Sequence, residues 1–531
     1  MLRHNGWGDT SVTMDVARKG QEMLAELLGP GLPTEDYPLE KILKKVGPSR
    51  LPEHRLLSQS PEDRYTHAHG QSLPDWIDMR GGALENFPDA VAYPTNSREV
   101  EDALEFAREN DCLVIPYGGG TSVVGHLTVP KSDRPVLSLS LERMSRLVNL
   151  DRYSSLATFE AGVRGVDLEA QLRALGYTLG HYPQSFEYST LGGWVVTRSS
   201  GQQSMHFGRI DQLFMGGDMI TPQGSMKLLP HPASGAGPDI RQIVLGSEGR
   251  MGVLTNATVK VQPLPEVDQV YGMVFPSWNH GVDAVRTLAS ASLPLSMIRL
   301  SNPKETKTNL VLSGHETQTG MLNKYLSVRG IDPDKACMAL VGIIGRKKVA
   351  NAGKSVAWRI VKNHKGVVIG KTMGESWEKK RFIIPYLRNS LWDKGYVVDT
   401  LETAITWDKV TNLLQAIDSA LTEAMAGFDE KIHVFTHLSH VYPTGSSIYT
   451  SFAFRPGESP EETHRRCLAL KTAASREIVK AGGTITHQHG VGTDHKPYLP
   501  AEKTQLGMDM LRDIVKRCDP DQRMNPGKLL D

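Results

Sequence analysis

Cysteine is scarce here: four thiols, Cys112, Cys337, Cys467 and Cys518, lie far apart in 531 residues, and none forms a CxxC pair. That usage predicts reduced, packed thiols in a reducing compartment. Long apolar runs are missing as well. No stretch approaches the roughly 18 uninterrupted apolar residues of a bilayer span. The opening residues, Met1 to Asp9, carry no apolar run behind a basic stretch, so no secretory signal is expected. Net charge is nearly absent, with 60 basic against 59 acidic side chains and a formal balance of +1. There is no global field to draw in nucleic acid or an anionic membrane, although a local basic patch is left open. The end, Leu529-Leu530-Asp531, is not a Ser-Lys-Leu type of address. A cytoplasmic protein with no nucleic-acid partner is the expectation.

What is present is ordinary globular composition at a length too great for one core. Hydrophobic residues make up 39% of the chain, and two or three domains are expected. Residues 1–85 are rich in proline, histidine and charge, with one helical pattern from Val16 to Leu28. Val91 begins a strand. Ser97 is placed to cap a helix with the apolar face Val100, Ala103, Leu104 and Ala107. Cys112 to Ile115 then reads as a buried strand running into a glycine loop. Strands are expected over 136–141, 156–163 and 245–261. A short helix from Asp167 to Leu175 closes at Gly176, a position favouring left-handed backbone. Pro263 and Pro265 mark a boundary. Residues 267 to about 455 read as a second α/β region with a long helix from Trp407 to Met425. Ser459-Pro460-Glu461-Glu462 has the form of a capping box opening a helix to Gly482. A glycine-flanked histidine loop and a helix over 504–517 follow.

The loop Gly118-Gly119-Gly120-Thr121-Ser122 carries the first chemical signal. Successive glycines let backbone N–H groups converge on an anion, and the two hydroxyls add donors. Taken alone it fits a tight turn equally well. It is neither GxGxxG nor a P-loop, which disfavours the classical nucleotide folds. Gln184 to Trp194, then Thr197-Arg198-Ser199-Ser200-Gly201, then Gly246 to Val253 follow it at spacings that plain turns do not explain.

The order PxGGGTS, GGW, TRxSG, GSEGxxGV resembles the flavin domain of the vanillyl-alcohol-oxidase-like (PCMH-type) family. Within it the chain is similar over nearly its whole length to the alkylglycerone-phosphate synthases, through Ala68-His69-Gly70, Gly237-Pro238-Asp239-Ile240, Ile298-Arg299-Leu300, Ser439-His440-Val441-Tyr442 and His489-Gly490-Val491-Gly492. The resemblance implies an α+β fold: a two-part PCMH-type FAD-binding domain, an α/β cap (substrate) domain and a helical N-terminal extension. The implied boundaries are 1–85 for the extension, 86–265 for the FAD domain and 266–455 for the cap. Residues 456–531 would complete the active site and pack on the FAD domain. FAD is the implied cofactor, held noncovalently because Thr121 stands where some relatives carry a flavin-bonded histidine. Its implied contacts are Pro116, Tyr117, Gly118, Gly119, Gly120, Thr121 and Ser122; His181; Gln184, Ser185, Phe186, Glu187, Tyr188, Ser189 and Thr190; Thr197, Arg198, Ser199 and Ser200; and Glu248, Gly249, Arg250, Met251, Gly252, Val253 and Leu254. A homodimer and a peripheral membrane contact are also implied.

The same likeness assigns roles to charged residues. Arg299 and Arg388 match substrate-binding arginines, and a planar fork of donors suits a phosphate. Tyr449 matches an acid/base tyrosine, which needs a polarising neighbour to take a proton at neutral pH. His487 and His489 match the outer members of a histidine triplet whose middle position is Gln488 here, an amide that cannot shuttle a proton. The implied reaction exchanges the acyl chain of acyl-dihydroxyacetone phosphate for a long-chain alcohol, with no net redox change. Two alternatives stand beside it: an FAD-dependent oxidase or dehydrogenase of a 2-hydroxy acid, and an inactive flavin-binding protein. Where metal-dependent dehydrogenases of the superfamily place histidine and glutamate ligands, this chain keeps His440 but has Tyr449 and Gln488. Phenol and amide are poor replacements on a divalent ion, so no metal is expected.

Overall fold

The computed structural model describes residues 2–312, 314 and 316–531. Among these, two main sheets and a two-stranded ribbon of Tyr177–Thr178 with Gln262–Pro263 belong to one half of the molecule, and a larger sheet forms the other. In the first half, Ala90–Ala92, Val136–Ser140 and Leu113–Tyr117 lie in parallel, with Leu57–Ser58 antiparallel at one edge. The C-terminal tail closes the opposite edge: Val114 N–H donates to Arg523 O at 2.7 Å and Asn525 N–H to Val114 O at 2.7 Å. An antiparallel five-stranded sheet packs beside it, in the order Leu147–Asp151, Leu156–Glu160, Val253–Lys260, Phe214–Thr221 and Gly224–Leu228.

Two local expectations change. The helix Ser97–Glu109 is capped by Asn96, whose side chain accepts from Glu99 N–H at 3.1 Å, and Ser97 is its first residue. The stretch expected as strand from Leu245 becomes strand only at Val253. Gly246, Glu248, Gly249 and Gly252 all have positive φ, which no strand ladder accommodates. The turn they form bears on the site.

The second half is built on a sheet of eight strands in which every pairing is antiparallel. Helix and strand alternate along the chain as the sequence indicates, but the sheet has none of the parallel strands of a doubly wound fold. Its centre runs Cys337–Gly345, Leu295–Ser301, Ile432–Leu438 and Gly445–Phe454, with Val397–Thr406 at the edge. Helix Trp407–Ala426 buries Leu413, Ile417 and Leu421 against it, each fully buried side chain contributing about 1.5–3 kcal/mol by leaving water.

The C-terminal segment divides between the halves. Helix Pro460–Ala481 places Leu470, Ala474 and Ile478 in the cap core, not on the FAD-binding half as expected. Ser459 caps this helix by accepting from Glu462 N–H. The Glu462 carboxylate reaches past it to Glu458 N–H, so the capping box is incomplete. Val491 onward returns to the core of the first half. The last helix, Leu499–Cys518, starts earlier than the pattern suggests and breaks its helical backbone at Thr504. The N-terminal helix Arg18–Leu28 packs Leu24 and Leu28 on Leu391 and Tyr396 of the cap.

Candidate active site

A single cavity of about 1310 Å³ runs between the halves. One wall is the loop after strand Leu113–Tyr117, with Pro116 to Ser122 all contributing. At Gly119 a Cβ would collide with the Tyr188 carbonyl, and Gly120 has φ +69°. Only glycine gives this backbone its closeness to the opposite wall. Ser122 Oγ lies 2.7 Å from His126 Nδ1, and His126 Nε2 lies 3.0 Å from the Glu248 carboxylate.

Glu248 belongs to the left-handed turn of 246–252 and is buried, with φ +51°. It accepts from the backbone N–H of Val491 at 2.5 Å and of Gly492 at 2.8 Å. Burial works against the carboxylate's charge, but His126 and these donors win and hold its pKa below the usual range. A second buried glutamate, Glu402 on strand Val397–Thr406, holds the other end of the same loop. Its Oε1 accepts from Thr486 Oγ1 (3.1 Å) and from the backbone N–H of His487 (2.9 Å), Gln488 (2.7 Å) and His489 (3.1 Å). These donors and the two imidazoles overcome burial and depress the Glu402 pKa strongly.

Glu402 also opens a row across the cap sheet. Glu402 pairs in register with Tyr449, Tyr449 with His437, and His437 with Ser301, so their side chains share one face with Arg299. His437 stacks on Tyr449 with centroids 4.9 Å apart, and Tyr449 meets the His489 ring edge-on at 5.9 Å. The Tyr449 hydroxyl donates to Thr400 Oγ1 at 3.2 Å, and burial pushes its pKa up to about 12. The phenol is therefore protonated at neutral pH. Thr400 and Arg299 pull in the opposite direction while Glu402 and Asp399 add to the rise, and burial is the largest effect. Burial lowers the His489 pKa, leaving its imidazole neutral at pH 7.

The two arginines differ in what they have free. Arg299 Nη2 is already engaged by Glu305 Oε1 (2.5 Å) and His437 Nδ1 (3.2 Å), and Glu305 is held at a pKa of about 2. Arg388 donates one bond, Nη1 to Gln71 O at 2.8 Å, and stacks over Trp76 at 4.2 Å. Its Nε and Nη2 are buried with no partner among the described residues. Both arginines line the cavity. The wall also carries many apolar side chains, Leu24, Leu312, Leu322, Met338, Ile369, Met373 and Phe435 among them.

Not every expected residue reaches the wall. Gln184, Ser185, Ser189, Thr190, Thr197, Ser199, Ser200, Glu248, Gly249, Gly252, Val253 and Leu254 do, as do Tyr449, Gln488 and His489. His487 does not line it. It is buried behind, with Nε2 2.6 Å from the Tyr442 hydroxyl and Nδ1 3.4 Å from Glu402. The structure thus separates the two histidines that the sequence pairs, His489 on the wall and His487 behind it. His181 also lies behind the wall, its Nε2 3.2 Å from Ser199 Oγ and its ring 4.8 Å from Trp194. Burial takes its pKa down to about 3. Phe186 stacks on Phe382, and the Tyr188 hydroxyl meets that of Tyr386 at 2.8 Å; these two stitch the halves together. Glu187 is off the wall, and Arg198 turns to Leu245 O. Arg250 donates to Met524 O at 2.6 Å, and Met251 is buried in the core. The signature motifs thus include residues that shape the cradle from behind. Glu402, Glu305, His437 and His126 were absent from the sequence expectation; isolated carboxylates and histidines, two on strands, one on a helix and one in a loop, carry no motif.

Residues 88–229 match the family profile described as FAD binding domain, and residues 264–529 match FAD linked oxidases, C-terminal domain. The alkyldihydroxyacetonephosphate synthase of Dictyostelium discoideum is 31% identical over 504 residues, covering 94% of this chain and 82% of that protein. The chain belongs to the alkyldihydroxyacetonephosphate synthase family. The synthase of Trypanosoma brucei brucei is 29% identical, covering 100% of this chain and 92% of its own. A solved alkyldihydroxyacetonephosphate synthase structure superposes with a TM-score of 0.83 at 27% identity, covering 99% of this chain and 98% of that one.

FAD is the cofactor of this synthase-family chain, and the residues present fit it. The glycine cradle has no room for a side chain, and the adjoining wall is rich in small and hydroxyl-bearing residues. The cavity exceeds the roughly 300–1,000 Å³ of a pocket for one ligand, as a site for cofactor plus substrate requires. Thr121 offers the flavin a hydroxyl and no imidazole to bond.

Proposed function

We propose that this chain is an FAD-dependent alkylglycerone-phosphate synthase, replacing the acyl chain of acyl-dihydroxyacetone phosphate with a long-chain alcohol to form an ether lipid precursor. The observation that carries this reading is one cavity lined by a glycine cradle, by guanidinium and imidazole groups, and by an extensive set of apolar side chains that would form an apolar arm. A 2-hydroxy acid has no use for the third part. A lipid has use for all three.

Bound FAD would supply an electron-poor ring beside the substrate carbon. Arg388, with two unpartnered donors, is the stronger phosphate clamp, and Arg299 completes it with the donors left over from Glu305. Neutral His489 takes a proton, its Nδ1 turned to Glu402 at 3.7 Å and Nε2 left for the substrate. Tyr449, protonated at working pH, donates to oxygen. Leaving fatty acid and entering alcohol would share the apolar arm, which excludes water from the reacting carbon.

A membrane contact fits the mouth of that arm. Met321 lines the cavity yet is 62% exposed, and Tyr325 and Val328 stand exposed at helical spacing beside it. No helix among the described residues is long and apolar enough to cross a membrane. Incubating the purified holoprotein with acyl-dihydroxyacetone phosphate and labelled hexadecanol tests the reading. An alkali-stable ether product is expected, and its absence would refute it.

A further inference from the structure

We propose that Glu402 is a positioning residue for the reaction: by gathering the backbone of 487–489 onto one carboxylate oxygen, it turns the His489 ring, and not that of His487, toward the substrate. The proposal uses the synthase reading to name His489 as proton acceptor; the geometry stands without it.

Three consecutive backbone N–H groups and the Thr486 hydroxyl converge on Oε1 at 2.7–3.1 Å. Consecutive amides that meet a single acceptor have their peptide planes fixed, so the side chains between them leave in fixed directions. The outcome is a sorting of the loop: His489 and Gln488 on the cavity wall, His487 behind it against Tyr442. Oε2 makes no hydrogen bond among the described residues and lies 3.4 Å from His487 Nδ1. Glu402 is also the register partner of Tyr449, so one side chain sets the spacing between the two groups assigned to proton transfer.

A buried carboxylate satisfied by backbone could simply stabilise a turn. Its charge argues for more. The charged and titratable groups facing His489 are Glu402, Asp399, His495 and Lys471, with the Tyr449 ring edge-on; the carboxylates favour its protonated form, His495 and Lys471 oppose it, and Glu402 has the largest electrostatic effect. Glu402 thus places the imidazole and tunes its basicity, as carboxylate partners of catalytic histidines do.

E402Q in the full-length holoprotein keeps the shape and one acceptor oxygen and removes the charge. The FAD-to-protein ratio should be unchanged. kcat should fall about 10- to 100-fold, with KM for the acyl substrate within about twofold. Titration of ¹³C-labelled histidine by NMR, with the resonance assigned through H489Q, should show the His489 midpoint moved to lower pH. Wild-type kcat with an unmoved midpoint would overturn the proposal. So would loss of FAD with kcat per bound flavin unchanged, which is the behaviour of a purely structural residue. If E402Q does not fold, E402D serves, since it withdraws the anion by one methylene: a lower kcat and lower midpoint support the proposal, and no change in either overturns it. Should wild type form no ether product, the synthase reading fails, while the His489 midpoint still judges Glu402.

Discussion

Glu248 and Glu402 hold the two ends of one loop from opposite halves of the molecule, Glu248 through the N–H groups of Val491 and Gly492 and Glu402 through those of 487–489. Each is buried, and each keeps its negative charge because backbone donors and imidazoles outweigh desolvation. The loop between them carries His489, which lines the cavity. Flavin half and cap are therefore joined at the chemistry itself.

Gly119→Ala should give a folded protein unable to retain FAD, because the added methyl meets the Tyr188 carbonyl with no flexible neighbour to yield. The flavin absorbance of purified protein checks this. Wild type should be yellow and release its FAD on denaturation, as noncovalent binding requires.

Arg388→Ala should raise KM for the phosphorylated substrate by roughly 10- to 100-fold, the loss of a charge-assisted hydrogen bond or two, with flavin content unchanged. Arg388→Lys should recover little, since an ammonium cannot replace the fork or the stacking on Trp76. Steady-state kinetics on the two variants separate charge from geometry.

Tyr449→Phe should lower kcat by about 10²–10⁴-fold, the range for losing a general acid or base. With the phenol at about 12, the wild-type pH–rate profile should show no tyrosine limb below pH 11. A limb near 10 that vanishes in the variant would show a phenol unperturbed by its burial.

Glu305 is held at about 2 from an ordinary 4.5 by His437 and Arg299 against desolvation. A depressed carboxylate stabilises the fold above its unfolded pKa, and that stability is lost as pH falls from 4.5 toward 2. In Arg299→Ala the folded pKa rises, so acid unfolding followed by circular dichroism should begin at higher pH. Activity should be lost at neutral pH while FAD stays bound.

How much of this was legible in the sequence depends on whether a feature is local. The glycine loop, the Gly176 stop and the Ser459 cap are set by residues within a few positions, and their spacing displays them. The cap's antiparallel pairing is a matter of which distant strands meet, and hydrophobic alternation is blind to it. Asn96 and Ser97 are both good caps, and only the extended backbone at Asn96 decides between them. Arg299, Tyr449 and His489 were found through resemblance. Glu402 carries no motif, because its role comes from register with Tyr449 and from a loop more than eighty residues away. The same holds for His487 and His489: the sequence shows a histidine pair but not which member lines the cavity.

Gln488 departs from the family's histidine triplet, and its backbone N–H is fixed by Glu402 whatever the side chain. Gln488→His should therefore keep the loop geometry and preserve or raise ether synthesis. A drop of tenfold or more in the same assay would show that the amide has a task of its own, consistent with the buried, unpartnered Gln488 Oε1.

The most direct measurement mixes the holoprotein anaerobically with acyl-dihydroxyacetone phosphate and labelled long-chain alcohol, and separately with a panel of 2-hydroxy acids, while following the flavin spectrum. The prediction is label in an ether product with the flavin ending oxidised, and no lasting bleaching by any hydroxy acid. Stoichiometric reduction by a hydroxy acid, with no alcohol incorporated from the lipid mixture, would contradict the synthase reading and make the chain a dehydrogenase.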